Sequence, residues 1–427
     1  MDREIKNVAV LGASGTVGSL VGGLLAQNRL KVAFISRSLE RAKRGLEKAI
    51  DQARSEVIAK NVVCGDYTSL FEPAVREADW IIEATTEDIE IKRQVYDRVE
   101  ALKRPGAIVS STTSSLPLTL LAEGRREDFR RHFLSTHFYN PPGRMLACEL
   151  TGHEGTDPEL VTFMATYLRK VLRREVVPVK NTVAFAGNRI AFVLFSRITS
   201  LVEQHGVELM DYLIGPYTGR LMPPLATLDL VGLDIHRAII HSLQTHTHDA
   251  MHDWLTLPPY LETMIERGLL GRKRGAGLYK KLESGKFMFF DPHTCDYIPA
   301  IQPHIAFVEK AKQFIHVGRY RSAFDAILEA EGKEAELVTS MLCAYVVYAY
   351  SLIGEVTPAE HGITGIDKVM SAGFNWAPPS VILDMLGGRE SVLRLIEAKG
   401  LSAPASMDGP RKTTLQILEA TKYFVAQ

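Results

Sequence analysis

A strand, a glycine-rich loop, a helix and a second strand fill residues 7–36, and this unit constrains the fold more than any other stretch. Residues 7–11 (NVAVL) are an apolar, Val-rich run. Gly12-Ala13-Ser14-Gly15-Thr16-Val17-Gly18 follows at once, then a helical pattern, SLVGGLLAQNR, and a second apolar run, KVAFIS. In this arrangement the N-terminus of a helix offers N–H groups and a favourable dipole to a pyrophosphate, and glycines let the backbone approach it closely. The spacing is G-x-x-G-x-x-G. Ala13, Gly15 and Gly18 fit the usual G-x-G-x-x-G with Ala in the first place, and Gly12 can supply the tight turn. The expected cofactor loop therefore comprises Gly12, Ala13, Gly15, Thr16, Val17 and Gly18.

More apolar runs follow, NVVCG, ADWIIEAT, GAIVSST, FLSTHFYN and EVVPV, most of them separated by helical stretches. Alternation of this kind predicts an α/β Rossmann domain, a doubly wound and mainly parallel sheet with helices on both faces. We place it at residues 1–183. Beyond it the pattern becomes helical: one long helix over 184–210, continuous to about Glu203, and a helical stretch over 224–250. Residues 184–285 read as a first all-α domain.

A repeat then appears. PPLATLDLVG at 223–232 recurs as PPSVILDMLG at 378–387, with Pro-Pro, Leu-Asp and Gly at one shared offset, and a long apolar helix precedes each. Residues 336–427 are expected to be a degenerate copy of the first helical domain, with 286–335 as connector.

Composition narrows the function classes. Lys+Arg and Asp+Glu both number 50 among 427 residues, so nothing suggests nucleic-acid binding or an anionic membrane surface. No window holds about 18 uncharged apolar residues, and the charged start MDREIKNVAV does not resemble a signal peptide. The four cysteines are scattered, without a C-x-x-C pair, so neither a disulfide framework nor a cysteine metal site is expected. A cytoplasmic location is the expectation.

The end of the second strand bears on which dinucleotide binds. An acid there usually accepts from the ribose 2′-hydroxyl of NAD. Here Ser36 and Arg37 stand there instead, with Arg41 and Arg44 one and two turns on. A hydroxyl beside a guanidinium suits a 2′-phosphate, so the cofactor is NAD(P), with NADP favoured over NAD.

Three segments carry chemistry: STTSSLPL (111–118), STHFYNPPGRMLACEL (135–150) and FAGNRIAF (185–192). With IIEATTED (81–88), GPYTGRLMPPLATLDLVGLD (215–234) and GRKRGAGLY (271–279), the chain resembles the 3-hydroxyacyl-CoA dehydrogenase family over residues 7–280. Residues 336–395 resemble the extra helical repeat of longer members. The resemblance implies reversible hydride transfer between an acyl-CoA substrate and a nicotinamide. His137, in H-F-x-N-P, matches the catalytic histidine, and titration near neutrality suits it to take and return a hydroxyl proton. Glu149 matches its carboxylate partner. Ser114 matches a serine that bonds the substrate oxygen, and Asn188 matches an asparagine that opens the first long helix. Glu87 and Lys92 match residues near the nicotinamide ribose. One departure stands out: the usual Asn-Thr-Ser-Ser reads Thr112-Thr113-Ser114-Ser115. In the repeat, Cys343 falls where Asn188 lies, so the second copy is expected to be structural. In single-copy relatives the helical domain makes the dimer interface, so a fused copy leaves monomer or homodimer open. No metal is expected. Three alternatives remain: a family member acting on a small hydroxy acid or carnitine, an atypical NADP-binding reductase or sensor, and a cofactor-binding scaffold without turnover. The Rossmann half lacks the Tyr-x-x-x-Lys that such reductases often use.

Overall fold

The computed structural model describes residues 3–397, 401–408 and 420–425. Of the expected second copy, residues 398–400, 409–419 and 426–427 lie outside the described residues. The chain divides into two compact units, Met1–Phe185 and Ala186–Gln427.

The first unit is built on eight strands: β1 (Asn7–Leu11), β2 (Lys31–Ser36), β3 (Val62–Asp66), β4 (Trp80–Glu83), β5 (Ile108–Ser111), β6 (Phe133–Phe138), β7 (Ala147–Gly152) and β8 (Glu175–Pro178). They form one sheet in the order β3-β2-β1-β4-β5-β6-β7-β8. Every pair is parallel except β6 with β7. The main helices between strands are α1 (Thr16–Gln27), α2 (Leu39–Ala53), α3 (Phe71–Glu77) and α4 (Ile89–Leu102). Every residue of β4, β5 and β6 is buried, as expected for strands covered on both faces. The period-two alternation sorts their side chains into two cores. Val8, Val10, Phe34 and Trp80 join one, and Ala9, Leu11, Ile35 and Ile81 the other. Strand order reverses between β1 and β4, and doubly wound sheets bind ligands at the carboxyl ends beside such a reversal.

The glycines of the first loop are dictated by contact. Gly12 has φ +87°, and a Cβ there would lie 2.3 Å from the Ala84 carbonyl oxygen. At Gly18 a Cβ would lie 2.6 Å from the carbonyl oxygen of Gly12, so the first turn of α1 can sit against the loop only without a side chain.

The second unit is mainly helical. Its two longest helices, Gly187–His205 and Lys333–Ser351, are buried over most of their length. The first ends five residues before the expected 210, because Gly206 (φ +79°) breaks it and a separate helix, Val207–Leu213, begins. Gly232 (φ +109°) likewise splits the expected 224–250 stretch into helices Pro224–Val231 and Leu233–His246. This unit also holds a small antiparallel sheet of β9 (Tyr279–Lys281), β10 (Phe287–Asp291) and β11 (Asp296–Pro299). Strands this short, separated by turn residues, leave too little alternation to stand out in a sequence.

One feature of this unit occurs twice. The Asp211 carboxylate accepts from the backbone N–H groups of Leu225 and Ala226, both at 2.8 Å, and thereby caps helix Pro224–Val231. Asp367 accepts from Ser380 N at 3.1 Å and Ser380 Oγ at 2.6 Å, at the start of helix Pro379–Met385. The segments just before these helices exchange reciprocal bonds: Leu221 N donates to Asn375 O at 3.2 Å, and Ala377 N donates to Gly219 O at 2.6 Å.

The close approach at Gly18 yields a prediction. Gly18→Ala should destabilise the chain by about 1–3 kcal/mol through overpacking against the Gly12 carbonyl. Thermal denaturation would check it, and an unchanged Tm would show that α1 can shift freely.

Candidate active site

The one antiparallel junction in the large sheet creates the central pair of side chains. β6 and β7 align His137 directly opposite Glu149. Cross-strand partners point to the same face, so the imidazole and carboxylate meet. Nδ1 of His137 lies 2.7 Å from Oε2 of Glu149. Glu149 is fully buried, and only 9% of the His137 side chain is exposed. With the carboxylate accepting from Nδ1–H, Nε2 becomes the nitrogen that can take a proton.

Tyr139, which sequence reasoning did not single out, joins this pair. Its hydroxyl donates to the same Oε2 of Glu149 at 2.9 Å. Its ring meets the His137 ring edge-on, with centroids 5.0 Å apart, and the Phe185 ring lies 5.7 Å from His137 on centroids. The available signal was a phenol two residues after His137 in His-Phe-Tyr, although β6 ends at Phe138 and only the folded chain shows that the hydroxyl reaches Glu149.

A second network lies at the carboxyl ends of β4 and β5. Glu83, fully buried, accepts from Lys92 Nζ at 2.9 Å, Tyr96 Oη at 2.8 Å, Ser111 Oγ at 2.8 Å and Thr85 N at 2.7 Å. Burial pushes its carboxyl up, but the Lys92 charge and these hydrogen bonds outweigh burial and hold it below the usual range. Lys92 is 1% exposed and also lies 3.4 Å from Glu87. Burial favours its neutral form, yet the two carboxylates win and raise its pKa. Glu87 Oε1 accepts from Thr113 Oγ1 at 2.5 Å and from Ser114 N, Ser115 N and Ser115 Oγ, each at 2.9 Å. Glu87 and Lys92, expected near a ribose, thus form the support of the loop that carries Ser114. Glu83 was a further miss: it lies in IIEATTED, but the sequence reading gave it no role of its own.

The glycine loop offers a cradle for phosphate. Gly15 is the N-cap of α1 in an extended conformation, with no side-chain cap, whereas Ser38 caps α2 and Asp88 caps α4. Gly15 and Thr16 are exposed, and Val17 and Gly18 complete the first turn. A helix start left open in this way, beside glycines that admit no Cβ, fits a pyrophosphate. At the end of β2, Ser36 is buried and donates to Ser14 Oγ at 2.7 Å. Arg37 is exposed and Arg41 is half-buried. Lys48, not anticipated, donates to the Ser14 carbonyl at 3.2 Å. Asn188 belongs to the second unit, where it is the second residue of helix Gly187–His205 and is buried. The N-cap of that helix is Ala186. Among the described residues no group of three or more His, Cys, Asp or Glu is placed to hold a metal.

The family's sequence models place these features in context. The model of the 3-hydroxyacyl-CoA dehydrogenase NAD binding domain matches residues 7–182, and that of its C-terminal domain matches residues 185–281. The chain belongs to the 3-hydroxyacyl-CoA dehydrogenase family. Its first unit is a Rossmann domain that matches the family's NAD binding domain. A probable 3-hydroxyacyl-CoA dehydrogenase of Bacillus subtilis (strain 168) is 29% identical over 433 residues, covering 95% of this chain and 54% of the relative. The chain thus spans about half the length of that relative. A probable 3-hydroxyacyl-CoA dehydrogenase of Deinococcus radiodurans is 31% identical over 301 residues, covering 66% of this chain and 85% of the relative. The crystal structure of 3-hydroxybutyryl-CoA dehydrogenase from Escherichia coli K12 covers 98% of both chains with a TM-score of 0.67. At 19% identity that likeness speaks to fold.

The Glu83–Lys92 pair generates a prediction. Lys92→Met removes the cation from a buried carboxylate and should cost about 3–5 kcal/mol near neutral pH. In the native chain Glu83 lies below its unfolded pKa, so its contribution is present at neutral pH and is lost as pH falls through the folded value. In the variant an acid pH lets Glu83 become neutral, so the deficit should shrink between pH 7 and about pH 5. Urea unfolding across that range checks this, and a deficit independent of pH would refute it.

Proposed function

We propose that this chain catalyses reversible hydride transfer between C3 of a 3-hydroxyacyl-CoA and a nicotinamide dinucleotide, with His137 as general base and acid. The observation that carries the reading is the His137–Glu149 pair, 2.7 Å apart in a dinucleotide-binding fold. In the oxidative direction Nε2 of His137 takes the hydroxyl proton. Glu149 stabilises the resulting imidazolium and keeps Nδ1 protonated. A bound nicotinamide supplies a two-electron acceptor for the hydride. In reduction the imidazolium returns the proton to the forming alkoxide.

Other residues take supporting roles in this reading. Ser114 bonds the substrate oxygen from the loop that Glu87 holds. Asn188 contributes from the start of the first long helix of the helical unit. Gly12, Ala13, Gly15, Thr16, Val17 and Gly18 receive the pyrophosphate. Ser36, Arg37 and Arg41 select a 2′-phosphate, and hence NADP over NAD, because no carboxylate stands at the end of β2. The chain is organised as a Rossmann domain (1–183), a first helical domain (184–285), a connector (286–335) and a structural second copy (336–427). Support for the duplication comes from the paired caps at Asp211 and Asp367 and from the reciprocal bonds between residues 219–221 and 375–377. No helix among the described residues is long and apolar enough to cross a membrane, and a cytoplasmic location is part of this reading.

Acetoacetyl-CoA with NADPH or NADH tests the reading. His137→Ala should lower turnover by about 10²–10⁴-fold with the fold intact. Retained turnover in that variant, or saturation of the native chain by a free hydroxy acid in place of the thioester, would overturn it. NADPH should outperform NADH. Arg37→Ala should raise the KM for NADPH about tenfold or more while leaving that for NADH unchanged, since one charge-assisted hydrogen bond is at stake. Equal effects on both nucleotides would remove Arg37 from the 2′-phosphate.

A further inference from the structure

The pair at the centre of the proposed site is in fact a triad. Tyr139 places its hydroxyl 2.9 Å from Oε2 of Glu149, the same oxygen that stands 2.7 Å from Nδ1 of His137. Cross-strand register sets His137 opposite Glu149, and Tyr139 follows one residue beyond the end of β6, close enough for its hydroxyl to reach the same carboxylate oxygen. Tyr139 is buried, and its ring packs edge-on against the imidazole. Burial, reinforced by the Glu149 charge, drives ionisation of the phenol far above its ordinary range. The hydroxyl is therefore a donor at every working pH.

We propose that Tyr139 is a positioning residue for the His137–Glu149 pair: its hydroxyl holds Oε2 in line with Nδ1 and moderates the carboxylate's attraction for the imidazolium. This rests on the reading of His137 as the proton-transfer group. The reasoning is electrostatic. A donor to a carboxylate stabilises the ionised form and withdraws charge from the shared oxygen. A less basic carboxylate stabilises the opposing imidazolium less, so the imidazole stays ready to accept a proton at lower pH. The same bond limits rotation of the carboxylate, because Oε2 then serves both the imidazole and the phenol.

The neighbouring elements bring these groups towards the pair. Across the sheet Glu149 aligns with Val177 of β8, which carries no charge. Cys148 and Phe138 alternate to the opposite face of their strands, and burial raises the Cys148 thiol well above its ordinary range. The Arg174 guanidinium, the cation that interacts with Cys148, donates to the backbone carbonyls of Leu172, Pro142 and Met145. From the end of the unit, Phe185 presents a ring.

Tyr139→Phe removes one oxygen and keeps the ring. The pH profile of kcat/KM for oxidation of a 3-hydroxyacyl-CoA should then show its acid limb displaced to higher pH by about half to one unit. The alkaline limb of the reductive reaction should move in the same direction, because one proton governs both. A purely structural role would instead lower kcat at all pH values with the limbs in place. Incorporation of 3-fluorotyrosine at position 139 strengthens the donor and should move both limbs to lower pH; it carries the test if the Phe variant does not fold. Nucleotide affinity and Tm serve as fold controls. Coincident limbs in native and substituted chains, with His137→Ala inactive, would overturn this inference alone. Turnover retained by His137→Ala would instead overturn the reading on which it rests.

Discussion

The carboxyl end of β4 is the point on which the first unit depends. There the chain must bury a carboxylate, Glu83, while passing close to the turn that follows β1. Ala84 N donates to Leu11 O at 2.8 Å, and the Ala84 carbonyl lies where any side chain at Gly12 would go. One residue earlier, Glu83 gathers Lys92 from α4 and Ser111 from β5. Four residues later, Glu87 gathers the 113–115 loop. The proposed phosphate cradle and the loop carrying Ser114 are thus referred to one short strand end, and a shift there would move both.

Two buried carboxylates in this unit show how the choice of partner separates structure from chemistry. Glu83 faces a lysine, which stays charged throughout the ordinary pH range, so its ion pair is permanent. Removing either partner leaves a buried charge, which is costly. Glu149 faces a histidine, whose charge can change near neutrality. The same physics that makes the first pair a fixture makes the second responsive: when the imidazole gains a proton, the carboxylate already in place stabilises it. A tyrosine hydroxyl also donates to each carboxylate, Tyr96 to Glu83 and Tyr139 to Glu149.

The second unit follows a different rule. Its longest helices are buried on nearly all sides, so most of their stability comes from packing against other helices. Two of its buried acids stand where helix starts need acceptors, Asp211 and Asp367, and a carboxyl oxygen there satisfies N–H groups that a helix cannot pair by itself. Reciprocal backbone bonds between residues 219–221 and 375–377 join two stretches that precede similar Pro-Pro segments.

Much was determined by the sequence alone. Apolar runs of strand length alternating with helical stretches point to a mainly parallel sheet covered by helices on both faces, and the glycine loop after the first strand points to the doubly wound form. Gly12 and Gly18 are legible because close approach excludes side chains, and His137, Glu149 and Ser114 are legible because their local motifs are distinctive. The first long helix was read as continuous to about Glu203, near its end at His205, but the helical readings of 184–210 and 224–250 did not show the breaks at Gly206 and Gly232, since an isolated glycine inside an apolar pattern does not announce a positive φ. The tertiary structure decided what depends on residues meeting across the sheet: that β6 and β7 run antiparallel and so oppose His137 to Glu149, that Tyr139 shares the same carboxylate oxygen, and that Glu87 and Lys92 brace a loop beside Glu83. Hydrogen bonds of this kind depend on register and distance between strands far apart in the chain, and one sequence read locally contains residue types and periods but no distances.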